Sequence, residues 1–254
     1  MVKCFSKSRI FAGMIWIFYV LLAGILLVRR PATPVLIRIF VVMVLVVTGY
    51  LIGHLAGNLV ADNENTKLLK ILYVDLEPGR FLEIYQPVLK ALSEKSSKYG
   101  ICSSYYADAL ALQNKYKEAS AFMEQSFQYM PEKPSLKGLY LGSRLRYALL
   151  ANDKEKAAEY KGELDRLFGT LEASGNKKLK LNLKQNYHGY MEYSNYLNHK
   201  TYHLDVIQDS YENSPVLTRK LEFAFLLSRM YRERGKEEKA DIYETFIQSH
   251  HVDR

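Results

Sequence analysis

Two long apolar segments near the start of the sequence place the strongest constraint on its fold. Residues 10–28 and 39–60 contain no Asp, Glu, Lys or Arg, and each is close to the ~20 residues that cross a bilayer as a helix. The sequence therefore predicts two transmembrane helices, at about 10–28 and 36–60. A buried hairpin of a soluble protein is one alternative. A cleaved signal peptide followed by an anchor is another, which Arg29 and Arg30 disfavour because they stand where small residues should precede a cleavage site.

Charge divides the chain at the end of the second apolar segment. Residues 1–60 contain six Lys and Arg and no Asp or Glu, whereas the rest of the chain holds 29 basic and 27 acidic side chains. Because the excess positive charge lies beside apolar segments, it indicates orientation in a membrane, and we expect no nucleic-acid partner. The predicted organisation is a transmembrane hairpin over 1–60 followed by a second domain over 61–254.

A strip of glycines lies within the second apolar segment. Gly49, Gly53 and Gly57 recur at every fourth position, and helices in lipid use small residues of this kind to approach one another closely. The strip predicts packing of the first helix against the second, with membrane lipid around the pair. Self-association of two chains through the same strip is the alternative.

The rest of the chain carries helical periodicity. Apolar residues recur at spacings of three and four, as in Phe81, Ile84, Tyr85, Val88, Leu89 and Leu92, and alternating strand patterns do not persist. The sequence therefore predicts an all-α fold.

Two stretches of this region share one pattern. In "YYADALALQNKYKEASAFMEQSFQYMP", Ala107 and Ala119 are small residues, Asn114 stands at a turn and Pro131 ends the stretch; "FAFLLSRMYRERGKEEKADIYETFI" repeats the pattern with Gly235 at the turn. The pattern resembles the tetratricopeptide (TPR) repeat, a pair of antiparallel helices. Together with three weaker copies, these stretches give five marker positions: Tyr85, Ala119, Ala157, His203 and Ala240. The resemblance implies a TPR-like α-solenoid of about four to five helix pairs; a generic helical bundle is the alternative.

The resemblance also implies a concave groove that binds a protein partner. First-helix positions expected to line it are Ser104, Asp108, Arg146, Glu192, Asn195, Phe225, Arg229 and Arg232. The three arginines would bind ligand carboxylates in bidentate fashion, or else pair with neighbours such as Glu222 and Glu233.

Motifs for chemistry are lacking. His199 and His203 are four residues apart, but Lys200 stands where a metalloprotease helix would have Glu, and neither Cys4 nor Cys102 has a CxxC neighbour. Phosphate loops and nucleophile elbows are also absent from the sequence. We therefore expect no catalytic site, no bound metal and no cofactor, so the protein is not expected to be an enzyme.

These observations predict a membrane-tethered TPR-like scaffold or adaptor. The alternative is an accessory or regulatory subunit of a membrane enzyme or transporter, which contacts it mainly through the transmembrane hairpin. Two spans place both termini on one side of the membrane. That side is expected to be the cytoplasm, since Lys and Arg near the outer helix ends outnumber those in the turn: Lys3, Lys7, Arg9, Lys67, Lys70 and Arg80 against Arg29, Arg30 and Arg38.

Overall fold

The structure, a computed structural model, describes residues 3–29, 34–128 and 133–250. Within these ranges every regular element is an α-helix, which confirms the predicted all-α class. The chain forms two compact units, the N-terminal unit (residues 1–68) and the C-terminal unit (residues 69–254). The helices are α1 Lys3–Arg29, α2 Val35–Tyr73, α3 Pro78–Lys90, α4 Ser97–Leu112, α5 Tyr116–Phe127, α6 Pro134–Leu150, α7 Lys154–Ala173, α8 Lys177–Leu197, α9 Leu204–Glu212, α10 Leu217–Glu233 and α11 Glu237–Ser249.

The N-terminal unit contains two helices that are long and apolar enough to cross a membrane. Both extend beyond the predicted limits, and α2 continues past residue 60 to Tyr73. Its continuation contains no Gly or Pro, and an ion pair of 2.8 Å between Glu64 and Lys67 joins neighbouring turns of the helix. At ~1.5 Å per residue, the 39 residues of α2 measure about 58 Å.

The C-terminal unit contains four consecutive helix hairpins with the same turn. The first helices, α4, α6, α8 and α10, are each followed by a C-cap residue and then by a residue of positive φ: Asn114, Asn152, His199 and Gly235. The amide after each of these residues donates to the carbonyl five positions earlier, at 2.8–3.0 Å. This is the Schellman geometry. In the hairpin of α8 and α9 the residue of positive φ is His199.

The second helices of these hairpins also share a feature. The fourth residue of α5, α7, α9 and α11 is fully buried, as is that of α3: Phe81, Ala119, Ala157, Ile207 and Ala240. Two predicted markers were therefore misplaced by one helical turn. Tyr85 is buried one turn after Phe81. His203 precedes α9 and its side chain is two-thirds exposed, at 67%.

The first helices run parallel to one another, as paired contacts between α6 and α8 show. Gly138 faces Leu183, and Gly142 faces the ring of Tyr187, so both pairs are offset by the same number of residues. A Cβ built on Gly142 would lie 2.1 Å from Tyr187 Cζ. The two glycines thus form sockets for large side chains. Large aromatic residues fill the core beyond them, including Tyr147, Tyr190, Tyr193 and Tyr231.

Candidate functional site

The eight predicted groove residues lie on four parallel helices of the C-terminal unit. Ser104, Arg146 and Glu192 are buried, Asp108, Asn195 and Arg229 are partly buried, and Phe225 and Arg232 are exposed. These residues therefore lie on neighbouring helices, where three are buried, three are partly buried and two are exposed.

Arg146 lies at the centre of a buried ionic network that joins three of these helices. Its Nη2 donates to Glu222 Oε1 at 2.6 Å, its Nε donates to Glu222 Oε2 at 3.1 Å, and its Nη1 donates to Asp108 Oδ1 at 3.2 Å. The α6 guanidinium thus bridges a carboxylate on α4 and one on α10. These neighbouring carboxylates raise the pKa of Arg146 despite the opposing effect of burial.

Three tyrosine hydroxyls complete this network. Tyr73 donates to Asp108 Oδ2 at 2.7 Å, Tyr147 donates to Asp108 Oδ1 at 2.7 Å, and Tyr190 donates to Glu222 Oε2 at 2.5 Å. Burial, followed by the adjacent carboxylates, raises the pKa of the Tyr147 and Tyr190 phenols well above its usual range. These hydroxyls therefore act as hydrogen-bond donors to Asp108 and Glu222.

The other two arginines are also engaged within the protein. Arg229 donates to the carbonyls of Leu149 and Leu150 at 3.0 and 3.1 Å, which satisfies the last turn of α6. Arg232 donates twice to Glu244, at 2.6 and 2.5 Å. Arg146, Arg229 and Arg232, which the sequence predicted to bind ligand carboxylates, therefore each bond to oxygen atoms of this chain. Arg146 pairs with Glu222, one of the neighbours that the sequence suggested.

Glu192 anchors the connector between α8 and α9. Its Oε2 accepts the backbone amide of His203 at 2.9 Å, and the imidazoles of His188 and His203 lie 3.6 and 3.4 Å from its oxygens. His199 stands in the Schellman turn after α8, whereas His203 directly precedes α9. No group of three His, Cys, Asp or Glu side chains suited to a metal ion occurs among the described residues.

A small depression lies beside Phe225, one of the predicted groove residues. It encloses about 70 Å³ between the α4–α5 turn, the end of α6, α10 and α11. Its walls are largely apolar, with Leu112, Leu150 and Ile247 among them. Phe225 is 36% exposed, and the guanidinium of Arg229 lies 4.6 Å from its ring centroid.

The glycine strip of the N-terminal unit faces α1. A Cβ on Gly53 would lie 2.8 Å from the carbonyl oxygen of Ala12, and one on Gly49 would lie 2.4 Å from Tyr19 Cβ. Ser8 Oγ donates to the Gly57 carbonyl at 2.6 Å. As the residue number rises along α2, the number of the contacted α1 residue falls, so the two helices are antiparallel. The glycine strip therefore packs against α1 of the same chain.

Sequence reasoning missed two features of the C-terminal unit. Gly138 and Gly142 recur at the same spacing as the membrane strip, and this spacing was the signal that could have identified them. Glu222 was recognised only as a neighbour of the arginines, because its contact with Arg146 joins residues 76 positions apart.

Comparisons with known protein families, curated proteins and solved structures found no match to this chain.

Proposed function

We propose that this protein is a membrane-tethered TPR-like scaffold or adaptor that binds a protein partner through its helical repeats. The observation that carries the proposal is the recurrence of one Schellman turn and one buried fourth residue in four successive helix hairpins. A solenoid of stacked hairpins requires this equivalence between units. The two apolar N-terminal helices supply the tether.

The depression beside Phe225 favours an apolar contact with the partner. Asp108, Arg146 and Glu222 form a closed network beneath the surface, whereas the depression beside Phe225 has largely apolar walls. Its volume of about 70 Å³ suits one small side chain. We therefore propose that the partner inserts an apolar residue beside Phe225.

Photo-crosslinking from the full-length chain in its membrane tests this proposal. A photoreactive phenylalanine at Phe225 should capture a partner that the same group at Ile242 does not capture, although Ile242 is more exposed, at 65%. Phe225→Ala should then weaken binding of the identified partner by about tenfold or more, as expected of an anchor residue. Equal capture from both positions, or unchanged affinity of the Phe225→Ala variant, would contradict a groove beside Phe225.

The alternative function, an accessory or regulatory subunit held mainly by the hairpin, also has an observation in its favour. Apolar side chains such as Phe18, Leu36 and Leu59 are largely exposed on α1 and α2, and they suit another membrane protein as well as lipid. Residues 61–254 should retain an adaptor's partner, whereas residues 1–68 should retain the partner of a subunit. Co-purification of each fragment with the crosslinked partner discriminates between the two functions.

We further propose that both termini and the repeats lie in the cytoplasm. Basic residues favour this orientation, and the buried thiol of Cys102 suits a reducing compartment. An impermeant maleimide should fail to label a Lys154→Cys variant of a Cys4→Ser, Cys102→Ala chain in intact cells, and it should label this exposed position after lysis. Efficient labelling of intact cells would place the repeats outside.

A further inference from the structure

The amino-terminal ends of α4, α6 and α8 lie close together in the C-terminal unit, and α10 begins beside the middle of α8. Lys133 Nζ donates to Ser97 Oγ at 3.1 Å, which joins the starts of α6 and α4, and Arg219 Nη1 donates to Asn186 Oδ1 at 3.1 Å, which joins the start of α10 to α8. Gly138 and Leu183 join α6 to α8. We call the surface formed by these four helix starts the amino edge.

The amino edge is basic throughout its described residues. The first turns of its four helices contain no Asp or Glu, and each contains at least one of Lys98, Lys137, Lys177, Lys178, Lys180, Arg219 and Lys220. The first turns of the partner helices α5, α7, α9 and α11 each contain at least one acidic residue. Positive side chains at a helix start oppose the helix dipole, so helix stability does not account for the basic edge.

The positive charge is densest at the connection between α7 and α8, the two longest helices of the unit. Residues 171–186 contain four lysines and one acidic residue, Glu172, which pairs with Lys180. Lys177, Lys178 and Lys184 are exposed. Leu181 lies among them on the same two turns of α8 and is 57% exposed. An apolar side chain surrounded by lysines is the pattern of a surface that contacts anionic lipid.

We propose that the amino edge binds the headgroups of anionic phospholipids, with Leu181 entering the boundary between headgroups and acyl chains. The proposal rests on membrane attachment through α1 and α2, which would raise the effective concentration of the C-terminal unit at a bilayer. Each lysine close to an anionic surface strengthens binding by roughly fivefold. A single-stranded nucleic acid is disfavoured, because the α8 tyrosines that could stack on bases, Tyr187, Tyr190 and Tyr193, are buried.

Site-specific fluorescence of the full chain in vesicles tests the proposal. The Cys4→Ser, Cys102→Ala chain carries Leu181→Cys labelled with an environment-sensitive fluorophore, and it is reconstituted into phosphatidylcholine vesicles with or without phosphatidylglycerol. We expect the emission to rise and shift to the blue with phosphatidylglycerol, and to revert at about 1 M salt, where the Debye length falls to ~3 Å. A label at Lys154→Cys, at the opposite end of α7, should not respond.

Matched charge reversals at the two ends of the α7–α8 pair provide the control. Lys177→Glu, Lys178→Glu and Lys184→Glu together should abolish the lipid-dependent signal. Lys154→Glu, Lys156→Glu and Lys200→Glu together should leave it intact. The proposal is overturned if both triple variants behave alike, if phosphatidylglycerol has no effect on the label at Leu181, or if an oligonucleotide changes the signal more strongly than phosphatidylglycerol does.

Alkaline extraction of the same vesicles separates this proposal from the proposed tether. Retention of the chain in phosphatidylcholine vesicles depends on α1 and α2 and not on the amino edge. A chain that resists extraction but gives no phosphatidylglycerol-dependent signal contradicts the lipid-binding edge alone. A chain that is extracted from the vesicles contradicts the tether, and with it the basis of this inference.

Discussion

The two units of the molecule use the same glycine spacing in different ways. In the N-terminal unit, Gly53 admits the backbone of α1, since its Cβ would lie 2.8 Å from the Ala12 carbonyl oxygen. In the C-terminal unit, Gly142 admits a side chain, since its Cβ would overlap the Tyr187 ring. The N-terminal unit exposes its apolar side chains, whereas the C-terminal unit buries tyrosines and an ionic network.

This difference shows that glycines four residues apart do not by themselves specify a kind of helix packing. Opposite Gly53 the partner helix presents a small residue, Ala12, so the two backbones come close and dispersion holds them. Opposite Gly142 the partner presents a large ring, so the helices are held by a side chain in a socket. The residues on the facing helix therefore decide which packing forms.

The largest expected effect comes from the buried network, which distinguishes the C-terminal unit. Arg146→Met should lower its free energy of unfolding by about 3–5 kcal/mol, because Asp108 and Glu222 would remain buried without their cation. Denaturant unfolding of the detergent-solubilised chain, followed by tyrosine fluorescence, measures the change. Arg166→Met, at an exposed position on α7, is the control and should change stability by less than about 0.5 kcal/mol. Equal effects of the two variants would show that the network contributes little.

The sockets of the C-terminal unit give the next largest effect. Gly142→Ala should destabilise by about 1–3 kcal/mol, because the added methyl group forces Tyr187 to move. Gly162→Ala should have the opposite sign and stabilise by about 0.5–1 kcal/mol, since Gly162 lies inside α7 with open space around it. The same unfolding measurement applies to both variants. If Gly142→Ala also raised the free energy of unfolding, the space at Gly142 would not be needed to accommodate Tyr187.

A smaller effect is expected at the strip of the N-terminal unit. Gly53→Ala should weaken the packing of α1 on α2 by about 1 kcal/mol, at the lower end of the cost of overpacking. A disulfide between Ala12→Cys and Gly57→Cys, whose Cβ atoms would be 3.1 Å apart, reports this packing in a chain without its native cysteines. The Gly53→Ala change should slow formation of the bond, whereas Gly24→Ala, in open space, should not. A bond that forms only between chains would assign the strip to self-association.

The smallest expected effect separates surface ion pairs from the buried network. Hydrogen bonds from Arg232 and Ser228 lower the pKa of Glu244 from 4.5 to about 2. A lowered folded-state pKa contributes stability above the unfolded-state value, and this contribution is lost as the pH falls from about 4.5 through 2. An NMR titration of the Glu244 carboxylate should follow this range, and Arg232→Gln should return its pKa toward 4.5. A pKa near 4.5 for Glu244 in the native protein would show that its ion pair with Arg232 does not form in solution.

The sequence predicted helix class and hairpin order because both depend on local patterns. Periodicity identified the helices, and the small residues Ala119, Ala157 and Ala240 identified the second helix of three hairpins. The predicted marker of α9 was wrong by four residues, at His203 instead of Ile207, because a longer connector precedes this helix. The residues predicted to line a groove lie on α4, α6, α8 and α10. The burial of Arg146 among them depends on the contact of α6 with α10, which residue spacing does not reveal.

That meeting of α6 and α10 has a consequence for folding cooperativity. In a solenoid whose hairpins touch only their neighbours, units can unfold one after another from an end. Here Arg146 on α6 binds Glu222 on α10, and Arg229 caps α6, so the second hairpin of the set is joined directly to the fourth. Unfolding of α10 would leave Arg146 without Glu222, and it would leave the carbonyls of Leu149 and Leu150 without the hydrogen bonds from Arg229. The hairpins are thereby coupled beyond their neighbours, which favours folding of the array as one cooperative block.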